Sequence, residues 1–257
     1  MTAAQSAEEL LDALGPPPSL NLAATSLFLD LDGTIAPLEP VPQDVGPDPD
    51  RRRLLDALRA GLGGRLAIVS GRTLADLDRV LESRIPALGA VHGLVMRSAD
   101  GQVSQATGAG PLREALADIR AFAAADRGLL VEDKGAAVSL HYRGAPGAAA
   151  AACDVVRRLA ARLGLRAQQG DMVIELRADG PDKGGAVAAF MAEAPFAGRT
   201  PIFVGDDLTD EDGFRAARRL GGYGVIASAR RPTDASYALG GVEGVRAWLA
   251  APVRQAA

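Results

Sequence analysis

The sequence predicts an α/β fold in which a second, α+β domain interrupts the first. Up to about residue 97, short apolar runs alternate with segments of helical spacing, as in a parallel sheet covered by helices. Between residues 98 and 180, pairs of strands follow one another without a helix between them, which indicates an antiparallel sheet. The alternation resumes at Asp182. We therefore expect a Rossmann-like core made of residues 1–97 and 181–257, with an inserted α+β domain over 98–180.

The elements of the first core segment follow from apolar spacing and from residues that begin or end helices. Gly15 and the three prolines after it end a first helix, and Thr73 caps a later one. The proline-rich stretch over 37–49 is incompatible with regular structure. The expected elements are a helix over 7–14, strands over 27–29, 66–69 and 89–94, and helices over 52–62 and 74–81.

The insert and the second core segment are assigned in the same way. In the insert we expect helices over 111–124 and 148–163, and strands over 128–132, 136–142, 165–169 and 172–177. In the second core segment we expect a helix over 182–191, strands over 201–204 and 222–227, and a last helix with Trp248 in its buried stripe.

The composition restricts the class of protein. The 257 residues are 48% hydrophobic, which is enough for a sizeable core. A net charge of −4, with arginines spread along the chain, argues against nucleic-acid binding. Cys153 is the only cysteine, so an internal disulfide is impossible, and two histidines make a zinc site of the usual kind unfavourable. Without a signal-peptide pattern or an apolar run of roughly 18 residues, we expect no membrane association and a cytoplasmic protein.

Polar side chains follow three of the predicted strands at the point where each strand ends. The first strand leads into Asp30-Leu31-Asp32-Gly33-Thr34, the second into Ser70, and the fourth into Gly205-Asp206-Asp207. Alone, Asp-x-Asp after a strand is as readily a helix cap or an Asx-turn. In open α/β sheets, however, ligands bind at the carboxyl ends of the strands. If the strands are neighbours, these groups and the amine of Lys183 converge on one place.

This combination of groups indicates phosphoryl transfer. Four carboxylates would repel one another without a divalent cation, and oxygen ligands favour a hard ion, Mg²⁺ before Ca²⁺. One aspartate would attack phosphorus and form an acyl-phosphate, while the cation and Lys183 would offset the charge on the phosphoryl oxygens. Asp32 would donate a proton to the leaving alcohol and later accept one from water.

Other sites that such residues could form are unsupported. The chain has no P-loop sequence, no Gly-x-Gly-x-x-Gly after a strand, and no glycine two places before Ser70. A calcium-binding EF-hand over 208–219 fails, because its first position is Leu208 and its last is Arg219.

The four motifs at the strand and helix ends, in their order, resemble those of the haloacid-dehalogenase-like phosphatases. The resemblance implies Asp30 as the nucleophile and Asp32 as the general acid and base. It implies a cap function for the insert. The implied phosphate ligands are Ser70, Gly71 and Lys183, and the implied Mg²⁺ ligands are Asp30, the backbone carbonyl of Asp32 and Asp206, with Asp207 in support.

A longer set of motifs, between about residues 25 and 215, is similar to the trehalose-6-phosphate phosphatase family. The set includes Val69-Ser70-Gly71-Arg72, His92-Gly93, Glu132-Asp133-Lys134-Gly135, His141-Tyr142-Arg143, Glu175-Leu176-Arg177 and the run from Gly205 to Glu211. The similarity implies a Mg²⁺-dependent phosphatase that acts on trehalose 6-phosphate. It implies that Arg72 and His92 border the pocket and that the sugar is bound by Glu132, Lys134, Arg143 and Glu175. A functional link to a synthase that supplies this substrate is expected from the family alone.

One departure from the family pattern leaves the substrate open. The family usually has Gly-Lys before the strand that carries the glutamate, whereas this chain has Gly170-Asp171. Asp171 reverses the charge at a presumed sugar-recognition position. A second hypothesis is therefore a phosphatase or phosphotransferase of the same superfamily that acts on another sugar phosphate. A third, from a different class, is a catalytically silent regulatory domain, which the intact Asp30, Asp32 and Lys183 disfavour.

Overall fold

The computed structural model describes residues 14–39, 41–106, 109–170, 172–230 and 232–256. It divides into two compact units. The first comprises the chain up to Val103 and from Asp182 onward, and the second comprises Ser104–Pro181. The helix expected over 7–14 lies outside the described residues except for Leu14, and Asp171 also lies outside them.

The described residues contain strands and helices with the following bounds. The strands are β1 (Thr25–Leu29), β2 (Leu66–Val69), β3 (Ala87–Ala90), β4 (Val95–Arg97), β5 (Val103–Gln105), β6 (Leu130–Asp133), β7 (Ala137–His141), β8 (Arg166–Gly170), β9 (Val173–Arg177), β10 (Thr200–Gly205), β11 (Tyr223–Ile226) and β12 (Tyr237–Ala238). The helices are α1 (Pro49–Gly61), α2 (Leu74–Leu81), α3 (Ala109–Ala123), α4 (Ala149–Leu163), α5 (Lys183–Met191), α6 (Glu211–Arg219) and α7 (Gly241–Ala256). Within the described part of the chain, no helix is both long enough and apolar enough to cross a bilayer.

The sheet that forms the core has the strand order β12-β11-β10-β1-β2-β3-β4-β5. Every neighbouring pair from β12 to β3 is parallel, which confirms the predicted α/β class with a parallel-sheet core. The chain proceeds from β1 to β2 and β3 on one side, and β10 lies on the other side of β1. The strand order thus reverses between β1 and β10, and such a reversal leaves a crevice for a ligand at the carboxyl ends of the strands.

Strand β1 is a rigid support for the residues that follow it. All five of its residues are buried, as expected for a central strand with both faces covered. The Phe28 ring stacks on Phe196 with a centroid distance of 5.5 Å, and Phe190 lies 5.2 Å from Phe196. This aromatic cluster fixes the strand whose carboxyl end carries the predicted nucleophile.

The structure corrects several expected elements of the first unit. The strand expected over 89–94 ends at Ala90, because Val91 and His92 have positive φ angles and begin a short 3₁₀ helix, Val91–Gly93. The proline-rich stretch contains another 3₁₀ helix, Pro42–Asp44, and α1 begins at its last proline, whose fixed φ suits the first helical position. The antiparallel strand β4 and the two-residue β12 are too short for periodicity to predict. Trp248 is half-buried and donates to the Pro18 carbonyl at 3.0 Å.

The second unit packs two helices against one face of a four-stranded antiparallel sheet, in the order β6-β7-β9-β8. Alternate strand residues point toward α3 and α4 and form an apolar core, in which Cys153 is buried. The intervening residues form a polar row on the opposite face. In register across the sheet, this row runs through Glu132, Ser139, Glu175 and Gln168.

Candidate active site

Asp30, the predicted nucleophile, lies directly after β1 at the point where the strand order reverses. Its backbone N–H donates to the Val204 carbonyl on β10 at 2.9 Å, which continues the pairing of the two strands past Leu29. Only 5% of the residue is exposed. A buried carboxylate at a fixed strand end requires a compensating positive charge.

The loop after Asp30 is a tight turn that needs glycine. The Leu31 carbonyl accepts hydrogen bonds from the backbone N–H groups of Ile35 and Ala36 at 3.0 and 2.8 Å. Gly33 has a φ of +78°, a conformation that other residues rarely adopt. A Cβ at this position would lie 2.2 Å from Asp206 Oδ2. The loop backbone therefore lies directly against the Asp206 carboxylate.

Lys183 supplies the positive charge beside Asp30. It is the first residue of α5, and the Asp182 side chain caps that helix by accepting the Gly185 N–H at 2.8 Å. The buried Nζ donates to Asp30 Oδ1 at 2.8 Å and to Asp210 Oδ1 at 2.6 Å. Burial lowers the pKa of Lys183, but the charges of Asp210 and Asp30 outweigh burial and raise it overall. The amine therefore stays protonated between the two carboxylates.

The end of β10 adds two more carboxylates to the site. Asp206 Oδ1 accepts a hydrogen bond from Thr34 Oγ1 at 3.2 Å. Asp210 is fully buried, and its Oδ2 accepts the backbone N–H groups of Asp206 and Asp207, each at 2.9 Å. Burial, and next the charge of Asp210, raise the pKa of Asp206 to about 7. Asp210 is therefore both a buried partner of Lys183 and a cap for the short helix that follows β10.

This carboxylate cluster fits a hard divalent cation. Asp30, Asp206 and Asp210 each place one carboxylate oxygen within 4.8 Å of the others. Burial raises the pKa of Asp30 well above its ordinary value, and the neighbouring aspartates add to this effect although Lys183 opposes it. A cation among these oxygens would relieve that repulsion, and an all-oxygen donor set suits Mg²⁺ or Ca²⁺. Asp207 is not one of the three, and its side chain is 38% exposed and 3.8 Å from Arg230 Nη1.

Asp32, the predicted general acid and base, is held by Arg72. The Arg72 side chain donates from Nε to Asp32 Oδ2 at 2.7 Å and from Nη2 to Asp32 Oδ1 at 2.8 Å. Its Nη1 donates to Asp76 Oδ2. Burial lowers the pKa of Arg72, but the hydrogen bonds to Asp32 and Asp76 outweigh burial and raise it overall. Two-pronged pairing of this kind fixes a carboxylate in orientation as well as in position.

Ser70, Gly71 and His92 lie together at the carboxyl ends of β2 and β3. The buried Ser70 donates its backbone N–H to the Gly89 carbonyl at 2.8 Å, and its carbonyl accepts the His92 N–H at 2.9 Å. A Cβ at Gly71 would lie 2.6 Å from Nε2 of the His92 ring. Glycine at position 71 therefore makes room for the imidazole.

The predicted sugar-binding residues belong to the second unit, and two of them, Glu132 and Glu175, lie on the polar face of its sheet. Lys134 Nζ donates to Glu175 Oε2 at 2.9 Å, and Ser139 Oγ donates to the same oxygen at 2.8 Å. Glu132 Oε2 lies 3.1 Å from His141 Nε2 and 3.9 Å from Lys134 Nζ. Burial raises the pKa of Glu132, but the His141 hydrogen bond and the Lys134 charge outweigh burial and lower it overall. Arg143 is exposed, two residues beyond the end of β7.

Asp76 is the residue of the site that the sequence reasoning missed. It pairs with Arg72 in the first turn of α2. Its one signal was an acidic residue in the first turn of a predicted helix, four residues after Arg72, which indicates no particular chemistry.

The sequence of the chain matches those of known phosphatases. The family model described as trehalose-phosphatase matches residues 28–243. A probable trehalose-phosphate phosphatase of Sinorhizobium fredii is 39% identical over 242 residues, 93% of this chain and 89% of the relative. The trehalose-6-phosphate phosphatase of Escherichia coli is 40% identical over 228 residues, 86% and 84% of the two chains.

The fold comparison agrees with the family match. A crystal structure of a trehalose-6-phosphate phosphatase related protein superposes with a TM-score of 0.77 at 25% identity, covering 90% of this chain and 97% of its own. The match of the family model and the two relatives extends over most of the sequence, including both units. The chain therefore belongs to the trehalose-phosphatase family, whose members are phosphoric monoester hydrolases.

Proposed function

We propose that the protein is a Mg²⁺-dependent phosphatase that hydrolyses trehalose 6-phosphate to trehalose and phosphate through an aspartyl-phosphate on Asp30. The observation that carries the proposal is the contact of Lys183 Nζ with the buried Asp30 carboxylate, within a cluster of carboxylates. A fixed nucleophile, a fixed positive charge and oxygen ligands for a hard cation are the parts that phosphoryl transfer requires. The family and the names of the two relatives support the substrate.

The residues that would hold Mg²⁺ are Asp30, Asp206 and the backbone carbonyl of Asp32, with Asp207 in support. When bound, the cation would supply positive charge that offsets the negative charge on the phosphoryl oxygens. Asp210 is already engaged by Lys183 and by two backbone N–H groups. We therefore assign Asp210 to fixing Lys183 and the loop that follows β10.

In the first step, a carboxylate oxygen of Asp30 attacks phosphorus and forms the aspartyl-phosphate. The bond between phosphorus and the sugar oxygen breaks, and Asp32 donates its proton to that oxygen so that the sugar leaves as an alcohol. Ser70, the Gly71 backbone and Lys183 orient the phosphoryl group. Strand β1 and the turn around Gly33 hold Asp30 and Asp32 in their places.

In the second step, water attacks phosphorus and Asp32 accepts a proton from that water. The bond between phosphorus and the Asp30 oxygen breaks, which releases phosphate and restores both aspartates. Arg72 pairs with the carboxylate form of Asp32, the form that accepts this proton. Asp30 and Asp32 thus take part in both steps of the reaction.

The second unit would act as a cap that supplies the sugar contacts. Its polar face carries Glu132, Lys134 and Glu175, and Arg143 follows β7. Trehalose presents many hydroxyl groups, and charged hydrogen-bonding side chains are suited to bind them. We also assign Arg72 and His92 to the border of the pocket. A synthase that supplies the substrate stays an expectation from the family.

The experiment that tests the proposal is phosphate release from a panel of sugar phosphates, with Mg²⁺ and with EDTA. We expect strong preference for trehalose 6-phosphate and loss of activity in EDTA. Metal-dependent release from other sugar phosphates but not from this one would favour the alternative, a phosphatase or phosphotransferase with another sugar substrate. Asp171 would then be the first residue to examine. No release from any ester would indicate a silent domain.

A further inference from the structure

The Arg72 guanidinium lies between two carboxylates, only one of which belongs to the proposed proton transfer. One edge of the planar group, Nε and Nη2, donates to Asp32, and Nη1 donates to Asp76 on the other side. Arg72 is 6% exposed, so water contributes little to holding this charge. The orientation of the guanidinium is therefore set by both carboxylates together.

Asp76 is itself held rigidly by its own helix. Its backbone N–H donates to Thr73 Oγ1 at 3.2 Å, which caps α2. Its second oxygen, Oδ1, accepts hydrogen bonds from Arg79 Nη2 at 2.6 Å and Nε at 3.0 Å. Arg79 in turn donates to the Val45 carbonyl at 3.0 Å. Asp76 thus presents Oδ2 to Arg72 from a fixed position.

We propose that Asp76 is a positioning residue for Asp32 and acts through Arg72. The proposal rests on the proposed function, in which Asp32 protonates the leaving oxygen. The Arg72 side chain has several rotatable bonds. Without a second contact, its guanidinium group would move together with the Asp32 carboxylate and would not hold that carboxylate in place. With Asp76 in place, the chain of contacts from Arg79 through Asp76 and Arg72 ends at the Asp32 carboxylate.

The alternative is that Asp76 only stabilises the beginning of α2, as an acidic residue in its first turn that pairs with Arg72. The two roles differ in their dependence on the leaving group. A misplaced general acid slows expulsion of a basic leaving group most, because a weakly basic one departs without full protonation. A loss of folding stability alone would reduce the activity on all substrates by the same factor.

The test compares phenyl phosphate with 4-nitrophenyl phosphate, which are similar in size and differ in leaving-group basicity. For Asp76→Asn we expect kcat/KM to fall at least about tenfold more for phenyl phosphate than for 4-nitrophenyl phosphate, a part of the usual contribution of a general acid. The matched control is Asp78→Asn on the same helix. Asp78 accepts two hydrogen bonds from Arg97, each at 2.8 Å, and is exposed to the same extent as Asp76, 30% against 27%.

The control is expected to lose a comparable ion pair without changing the ratio between the two esters. An equal fall on both esters for Asp76→Asn, or the same change of ratio for Asp78→Asn, would overturn the proposal. If Asp76→Asn does not fold, Asp76→Glu replaces it, because it keeps the charge but displaces Arg72. Its ratio is expected to lie between those of the wild type and of Arg72→Ala, and an unchanged ratio would contradict the proposal.

A double variant separates action through Arg72 from a direct effect. In an Arg72→Ala background, Asp76→Asn is expected to leave the ratio between the two esters unchanged, because the connecting side chain is gone. A further change of the ratio in that background would overturn the route through Arg72. A wild-type protein that hydrolyses neither ester nor any sugar phosphate would overturn the proposed function as well, so the two failures are distinguishable.

Discussion

Gly33 is the residue at which one added methyl group would disturb the site most. Its φ of +78° and the 2.2 Å separation between a built Cβ and Asp206 Oδ2 are independent penalties. For Gly33→Ala we expect a loss of stability of about 1–3 kcal/mol and a fall in kcat/KM of at least about 100-fold, since the proposed nucleophile and metal ligands shift together. Thermal unfolding and steady-state kinetics measure the two effects.

The control for this variant is Gly101→Ala. Gly101 has a φ of +92°, and nothing lies within 4 Å of a Cβ built there. An alanine there would be strained by its positive φ but would meet no neighbouring atom. We therefore expect Gly101→Ala to lower the stability of the protein and to leave its activity unchanged. If Gly33→Ala were as active as Gly101→Ala, close contact between the turn and Asp206 would not matter to catalysis.

Asp30 combines a cost in stability with a proposed role in chemistry. Burial and the neighbouring aspartates raise the pKa of Asp30, so keeping this carboxylate ionised costs free energy of folding. For Asp30→Asn we expect turnover to fall by more than about 10³-fold, as when a nucleophile is removed, while the thermal midpoint of the metal-free protein is not lowered. Activity within tenfold of the wild type would remove Asp30 from the mechanism.

At the scale of elements, helix α1 is tied to the loop that follows the proposed nucleophile. Asp48 caps α1 by accepting the backbone N–H groups of Asp50 and Arg51 at 2.9 and 3.2 Å. Its Oδ2 also accepts from Arg246 of α7 at 2.7 Å, and Arg246 donates to the Ile35 carbonyl at 2.8 Å. Two helices therefore support the end of the catalytic turn through one carboxylate.

We expect Asp48→Ala to destabilise the protein by about 1–2 kcal/mol at pH 7, the usual cost of losing a cap. Burial raises the pKa of Asp48, but the hydrogen bonds from Arg51, Arg246 and Asp50 outweigh burial and lower it below 3.8. A lowered pKa in the folded state means that the contribution is present above the unfolded value and is lost as pH falls through the folded one. Urea unfolding from pH 7 down to 3 should therefore show the difference shrinking.

Asp50→Ala is the control for the cap. Asp50 follows Asp48 by two residues, but its side chain is 78% exposed and pairs only with Arg53 among the contacts described. We expect a change within about 0.5 kcal/mol at every pH. A loss as large as that of Asp48→Ala would indicate a general charge effect rather than a cap.

Local chemistry was enough to predict most of the elements. Thr73 caps α2 as expected, and apolar spacing located β1, β2 and β10 because their residues are buried on both faces. The turn at His92 was not predictable, because its positive φ depends on the carbonyl of Ser70, far away in sequence. The buried position of Asp210 depends on packing against Lys183, which is also distant in sequence. The contact of Asp76 with Arg72 is local, but its relevance depends on the pairing of Arg72 with Asp32, forty residues away in sequence.

At the scale of the whole molecule, each unit has its own core and its own cluster of charged residues. The assignment of the second unit to sugar recognition is a prediction that Lys134→Ala tests. This variant removes the ammonium group that donates to Glu175. We expect the preference for trehalose 6-phosphate over 4-nitrophenyl phosphate to fall at least about tenfold, the usual effect of losing a hydrogen bond from a charged group. The ratio of the two kcat/KM values measures this preference.

The control for Lys134→Ala is Arg158→Ala, which removes a positive charge from the exposed face of α4. We expect that variant to keep the wild-type preference. If both variants changed the preference equally, the effect would come from net charge rather than from the polar face of the sheet.

The central claim is that Asp30 carries the phosphoryl group of trehalose 6-phosphate. The most direct measurement is rapid quenching of the enzyme with substrate labelled in the phosphate, in the wild type and in Asp30→Asn, followed by mapping of the labelled peptide. We predict a hydroxylamine-sensitive phosphate on Asp30 that forms before phosphate is released, and none in Asp30→Asn. Release of phosphate with no labelled protein at any time, or label on another residue, would contradict the account.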